Sequence, residues 1–166
     1  GIEKLMTECR SGMKEYELEA YFDFNCKIKG ATDLAFTTIA AAGKNATTLH
    51  YVENNSKLKD GDLILFDLGA EYNCYNADIT RTFPISGKFT ERQKEVYNSV
   101  LKVNEEIINL IKPGMKYKDI NEKATDLIAE ECIKLGLIKD KSEVRKYYYH
   151  SIGHSLGMDT HDIETP

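Results

Sequence analysis

The sequence predicts an α+β domain with antiparallel strand pairing, and three observations carry that prediction. Leu63 to Leu68 and Ile79 to Phe83 are apolar, β-prone runs with a short polar connection between them. Four other stretches have helical periodicity, most of them with stop signals. An internal echo adds a hint of two equivalent halves: Gly12-Met13-Lys14 with Glu17-Leu18 recurs 102 residues later as Gly114-Met115-Lys116 with Asp119-Ile120.

Taken in order, Ile2 to Cys9 reads as a helix, and a second runs from about Glu15 to Ile28 with Leu18, Tyr21, Phe22 and Cys26 as its apolar stripe. Gly30 sits where a helix stop is expected. Ala35 to Ala42 reads as a strand, Gly43-Lys44-Asn45 as a turn and Thr47 to Tyr51 as another short strand. Thr90 with Gln93 forms a capping-box pattern that opens a helix through Ile111, with Val96, Val100, Val103, Ile107 and Ile111 on its apolar face. Pro113-Gly114 ends it, and a further helix spans about Tyr117 to Leu135 before Gly136. The last strand expected surrounds Tyr147 to Ser151.

The 166 residues, 42% hydrophobic and 30% charged, suffice for one domain with a real core. A net charge of −5 and the lack of a basic block exclude a nucleic-acid or anionic-membrane surface, so a peptide or small-molecule partner fits better. No apolar run is long enough to cross a membrane, and Gly1 onward lacks a signal-peptide core. Cys9, Cys26, Cys74 and Cys132 have neither zinc-finger nor CxxC spacing and read as reduced thiols, which places the protein in the cytoplasm.

Asp67 and Asp78 are the most telling pair. A reversal centred on Tyr72-Asn73 sets them directly opposite each other, where like charges repel. Asp67 also follows the apolar run Leu63-Ile64-Leu65-Phe66, and a charge there is costly without a partner. A cation between them resolves both difficulties. Three of the four histidines then cluster in HSIGHSLGMDTHD, as His150, His154 and His161. His150 and His154 share a face on a strand or a helix, whereas His161 needs a bend near Gly157 to join them. Imidazole together with carboxylate suits Zn, Mn, Fe or Co, and carboxylate-rich sites lean to Mn. So few histidines beside carboxylates argue for a two-metal hydrolytic site.

The pieces TTLHY, FDLGAEY, ADITRTFP and HSIGHSLGMDTHD, in that order, closely resemble the Xaa-Pro peptidases, aminopeptidase P and prolidase. That resemblance implies the pita-bread fold, with pseudo-two-fold αβ halves around an antiparallel sheet, and a metal-dependent hydrolase for peptides with proline in second position. It implies two divalent ions, Mn ahead of Co or Zn, with Asp67 bidentate on one, Asp78 bridging both and His154 on the other. His50, His150 and His161 are implied to contact substrate and position the scissile carbonyl. It also implies a homo-oligomeric parent protein.

The sequence departs from that family in its glutamates, in its N-terminal domain and, as a minor change, at Thr160, where a β-branched aliphatic residue is usual before His161. The family's two further glutamate ligands are not matched within residues 1–166, and Glu164 has no matching context. Residues 1–166 therefore read as a metallopeptidase catalytic domain with its second half truncated and the family's N-terminal domain absent, and the chain by itself as inactive. The alternative is a non-catalytic pita-bread module that binds peptides or proteins.

Overall fold

The computed structural model describes residues 1–163, so Glu164 lies outside the described residues. It divides into two compact units, Gly1–Phe89 joined by the segment from His154, and Thr90–Gly153.

The first unit carries α1 (Ile2–Glu8) and α2 (Glu15–Lys27), followed by β1 (Asp33–Leu34), β2 (Ile39–Ala42), β3 (Leu63–Leu68), β4 (Ala70–Tyr72), β5 (Tyr75–Asn76) and β6 (Ile79–Pro84). Two antiparallel sheets result, ordered β2-β3-β6 and β1-β4-β5. Along β3 the side chains alternate as a strand requires: Ile64, Phe66 and Leu68 are fully buried. With Ala40 and Ala42 they form one cluster with Leu5, Leu18 and Phe22 of the helices. The other face of β2 and β3 offers Ile39, Ala41 and Leu65, packed with Tyr51. Tyr21, expected in the α2 stripe, is 39% exposed.

Glu15 fixes α2 against the sheet. It is fully buried, yet both of its carboxylate oxygens accept hydrogen bonds: Oε1 from Ala42 N at 2.8 Å and Asn45 Nδ2 at 2.9 Å, Oε2 from Tyr51 OH at 2.8 Å and Ser56 N at 2.9 Å. This convergence explains two corrections to the expected strands. The strand expected over residues 35–42 is regular only over Ile39–Ala42, and Thr47 to Tyr51 is not a strand at all. Gly43, at φ +55°, turns the chain into a 3-10 helix, Gly43–Thr47, and the segment beyond curls inward to deliver donors to Glu15.

The second unit holds α3 (Glu91–Leu110), α4 (Tyr117–Lys134) and a 3-10 helix, Lys141–Lys146. The expected capping box is present: Thr90 Oγ1 accepts from Gln93 N, and Gln93 Oε1 accepts from Thr90 N at 2.9 Å. Val103 and Ile107 of α3 pack with Ile120 and Ala124 of α4. Val100 and Ile111 lie at the edge of that stripe and are exposed, contrary to expectation. The strand expected around Tyr147 to Ser151 is likewise not formed: Tyr147 N and Tyr148 N both return to Val144 O, closing a turn that buries Tyr148. The internal echo is visible in the backbone. Gly12 and Gly114 have φ of +93° and +89°, and each precedes an extended lysine, Lys14 or Lys116, that opens a helix.

Glu15→Gln puts an NH2 group against donors that now point at an oxygen. The substitution is expected to lower unfolding free energy by about 2–4 kcal/mol, measurable by urea titration. Glu131 provides a pH-dependent contrast, because Lys102 and Lys134 donate to its Oε1 at 2.8 and 2.7 Å and lower its pKa to about 2. A depressed carboxylate stabilises the fold above its ordinary pKa, and that contribution fades as pH falls towards the folded-state value. Glu131→Gln is expected to cost below about 1 kcal/mol at neutral pH, since both lysines are half exposed. The difference from the parent protein should vanish in acid titrations as pH approaches about 2.

Candidate metal centre

The hairpin that carries both aspartates turns one residue later than the sequence suggests. Asn73 and Cys74 occupy the tip with φ of +52° and +67°, the left-handed pair that suits a two-residue hairpin loop. Tyr72 pairs with Tyr75, Glu71 with Asn76, Leu68 with Ile79, and Asp67 with Thr80. Asp67 therefore faces Thr80 rather than Asp78, the partner expected from the sequence. Moving the turn centre by one residue moves the pairing by two, which leaves the side-chain parity intact. Asp78 falls opposite Gly69, and a Cβ on Gly69 would lie 1.7 Å from Ala77 O, so only glycine permits this approach.

The two carboxylates still act on each other. Asp67 has Ile39 as its β2 neighbour and Thr80 as its β6 neighbour. Burial raises its pKa above the ordinary carboxylate range, the Thr80 hydrogen bond opposes that shift, and Asp78 adds to it through charge and a direct hydrogen-bonding contact. The Thr80 hydroxyl donates to Asp67 Oδ1 at 2.9 Å.

The histidine segment has no regular secondary structure and is pinned by backbone and side-chain hydrogen bonds. Asn76 N donates to Gly157 O at 2.8 Å and Asn76 Nδ2 donates to Met158 O at 3.0 Å. Thr160 Oγ1 donates to Ala35 O at 3.1 Å. The expected bend at Gly157 is present, closed by Asp162 Oδ2, which accepts from Met158 N and leaves no room for a Cβ at Gly157. His154 and His161 thereby meet, with ring centroids 4.2 Å apart.

His154 Nε2 lies 3.2 Å from Asp78 Oδ2, while its Nδ1 lies 2.9 Å from Ser155 O. A carbonyl can only accept, so Nδ1 carries the proton of that bond. In a neutral ring, Nε2 then turns a lone pair towards a carboxylate. Two acceptors so close need a proton or a cation between them, and this is the feature of the site that fits a metal ion. Asp67, Asp78 and His154 supply the right donor types. Their contacts are pairwise, however, and among the described residues no group of three His, Cys, Asp or Glu side chains could hold one ion together.

The remaining candidates are dispersed. His50 is exposed and adopts φ +54°, and its electrostatic effect is the smallest of those that act on the Asp67 pKa, lowering it. His150 belongs to the second unit, where Nδ1 contacts Ser151 O at 2.7 Å and the ring packs edge-on to Tyr148. Thr80 and Asn76 were not among the residues expected at the site from the sequence. Both lie in the hairpin, and a correct turn position would have put Thr80 beside Asp67.

The pattern defining Metallopeptidase family M24 matches residues 1–166. Xaa-Pro aminopeptidase 3 of Dictyostelium discoideum is 49% identical over 154 residues, covering 92% of this chain and 30% of its own length. Proline aminopeptidase P II from Yersinia pestis superposes with a TM-score of 0.93 at 38% identity, covering 98% of this chain and 39% of that one. Zinc-substituted aminopeptidase P from E. coli, in complex with product, gives the same TM-score and identity, covering 97% and 38%. The chain thus spans roughly a third of the length of these relatives, and its fold is the aminopeptidase P, or pita-bread, fold anticipated from the sequence.

Asn76→Ala removes the side-chain tie to Met158 O. Backbone amides of residues 155–162 are expected to exchange with solvent roughly tenfold faster, as one lost hydrogen bond of about 1–1.5 kcal/mol allows. Hydrogen exchange read by mass spectrometry checks this.

Proposed function

Because this chain belongs to Metallopeptidase family M24, we propose that residues 1–166 form part of the catalytic domain of an Xaa-Pro aminopeptidase or Xaa-Pro dipeptidase. The observation that carries the reading is the facing pair of acceptors, His154 Nε2 and Asp78 Oδ2, beside a carboxylate already strained by burial and by Asp78.

Asp67, Asp78 and His154 are the residues that would hold two divalent ions, with Mn favoured over Co and Zn by the carboxylate content. A bound pair of such ions supplies carbonyl polarisation and a hydrolytic water acidic enough to act near neutral pH. The chain's own side chains do the rest. Ser155 O holds the His154 ring so that Nε2 is directed at Asp78. Ile39 removes solvent from one flank of Asp67, and Thr80 orients its carboxylate from the other. His50, His150 and His161 would contact the substrate and position its scissile carbonyl. A substrate with proline in second position suits a dedicated site, because proline offers no amide N–H to ordinary peptidases.

This assignment extends to a homo-oligomeric parent protein in the cytoplasm. Four unpaired cysteines support a reducing setting, and among the described residues no helix is long and apolar enough to cross a membrane. The 166 residues alone supply three of the family's five ligands, so by themselves they bind metal weakly and do not turn over an Xaa-Pro peptide. The alternative reading is a non-catalytic pita-bread module that binds peptides or proteins.

Manganese titration of the chain and of Asp78→Asn separates the two. Weaker binding by the variant, roughly tenfold or more, supports the metal assignment. Equal binding by both removes Asp78 from it. Manganese-dependent cleavage of an Xaa-Pro peptide by the 166 residues alone would overturn their assigned inactivity.

A further inference from the structure

We propose that the outer face of α2, continued by the tip of the β4–β5 hairpin, is the surface on which two copies of this chain meet. The proposal deepens the homo-oligomeric part of the reading above and involves no metal ligand. α2 is apolar on two sides. Leu18 and Phe22 belong to the core cluster beneath the helix. Tyr21, Phe24 and Ile28, at steps of three and four residues, form a second stripe that is exposed. The inner stripe already packs the unit, so the outer one serves another contact. Tyr72 extends it past the helix end, with its Cε2 3.8 Å from the place of a Cβ on Gly30. Tyr75 is the direct cross-strand partner of Tyr72 and shares its side of the hairpin.

These five side chains are between 39% and 64% exposed. At roughly 100 Å2 each they make an apolar patch of the size that marks an interaction surface. Two such patches brought together bury on the order of 1,000 Å2, enough for a specific contact. Charge selects the occupant. Glu17 lies in the first turn of α2 and Lys27 in the last. An antiparallel crossing centred between Tyr21 and Phe24 sets Glu17 of each copy within one residue of the level of Lys27 in the other, and it aligns the two helix dipoles favourably. The face therefore carries its own complement, as a two-fold contact requires.

Sedimentation velocity of the 166-residue chain across the micromolar range gives the dimer dissociation constant. The parent chain is expected to dimerise in that range. Phe24→Asp and Ile28→Asp should each weaken the dimer about tenfold or more. Both should unfold at the parent's urea midpoint, because the two side chains are exposed within a single chain. Lys27→Glu turns like charge on Glu17 of the second copy and should weaken it about threefold. Ile108→Asp, on the exposed side of α3, should dimerise like the parent. A chain that stays monomeric throughout overturns the proposal, as does parent-like dimerisation by Phe24→Asp or a dimer lost only with Ile108→Asp. Parent-like dimerisation by Lys27→Glu overturns the antiparallel alignment. Manganese binding is measured separately, so failure here leaves the peptidase reading standing.

Discussion

The register of one hairpin governs the candidate centre. Asn73 and Cys74 both adopt left-handed backbone at the tip, and every pairing below follows from that choice, down to Asp67 opposite Thr80. A slip of one residue in pairing would turn either carboxylate to the other side of the ribbon and detach it from its partners. Gly69 makes the same register possible at the base, because Ala77 O occupies the space a side chain would need. The aspartates thus meet obliquely, and the space directly across from Asp67 is given to a hydroxyl that can stabilise it.

Around this hairpin, buried or half-buried polar groups do the fastening that regular structure does elsewhere. Glu15 gathers four donors from β2, the 3-10 turn and the chain beyond, so the segment that bears His50 is shaped from inside the unit. Asn76 and Thr160 play the corresponding part for the histidine segment. Each unsatisfied group in such a network costs about as much as the hydrogen bond it lacks, which makes these ties specific. In both cases an irregular stretch carries candidate functional side chains while a polar residue on a helix or strand holds it.

Much of this was legible in the residues. The span of β3, the capping box at Thr90 and the stops at Gly30 and Gly136 rest on local rules of periodicity, capping and backbone freedom, and they hold. The misreadings cluster where the outcome is set by distant partners. Thr47 to Tyr51 has strand composition but is drawn towards Glu15, and Val100 belongs to a periodic stripe of which Val103 and Ile107 are the members that pack with α4.

Sequence alone determined the α+β class, the family resemblance and the residue types of the candidate centre: two carboxylates and a histidine cluster. It could do so because strand and helix periodicity, capping and ligand chemistry are properties of residues and their near neighbours. Tertiary structure decided that Asp67 faces Thr80, that Asp78 faces His154, and that His161 joins His154 whereas His150 lies in the other unit. Those outcomes hinge on a single step of the turn and on hydrogen bonds between residues as far apart as Asn76 and Met158, which local pattern does not encode.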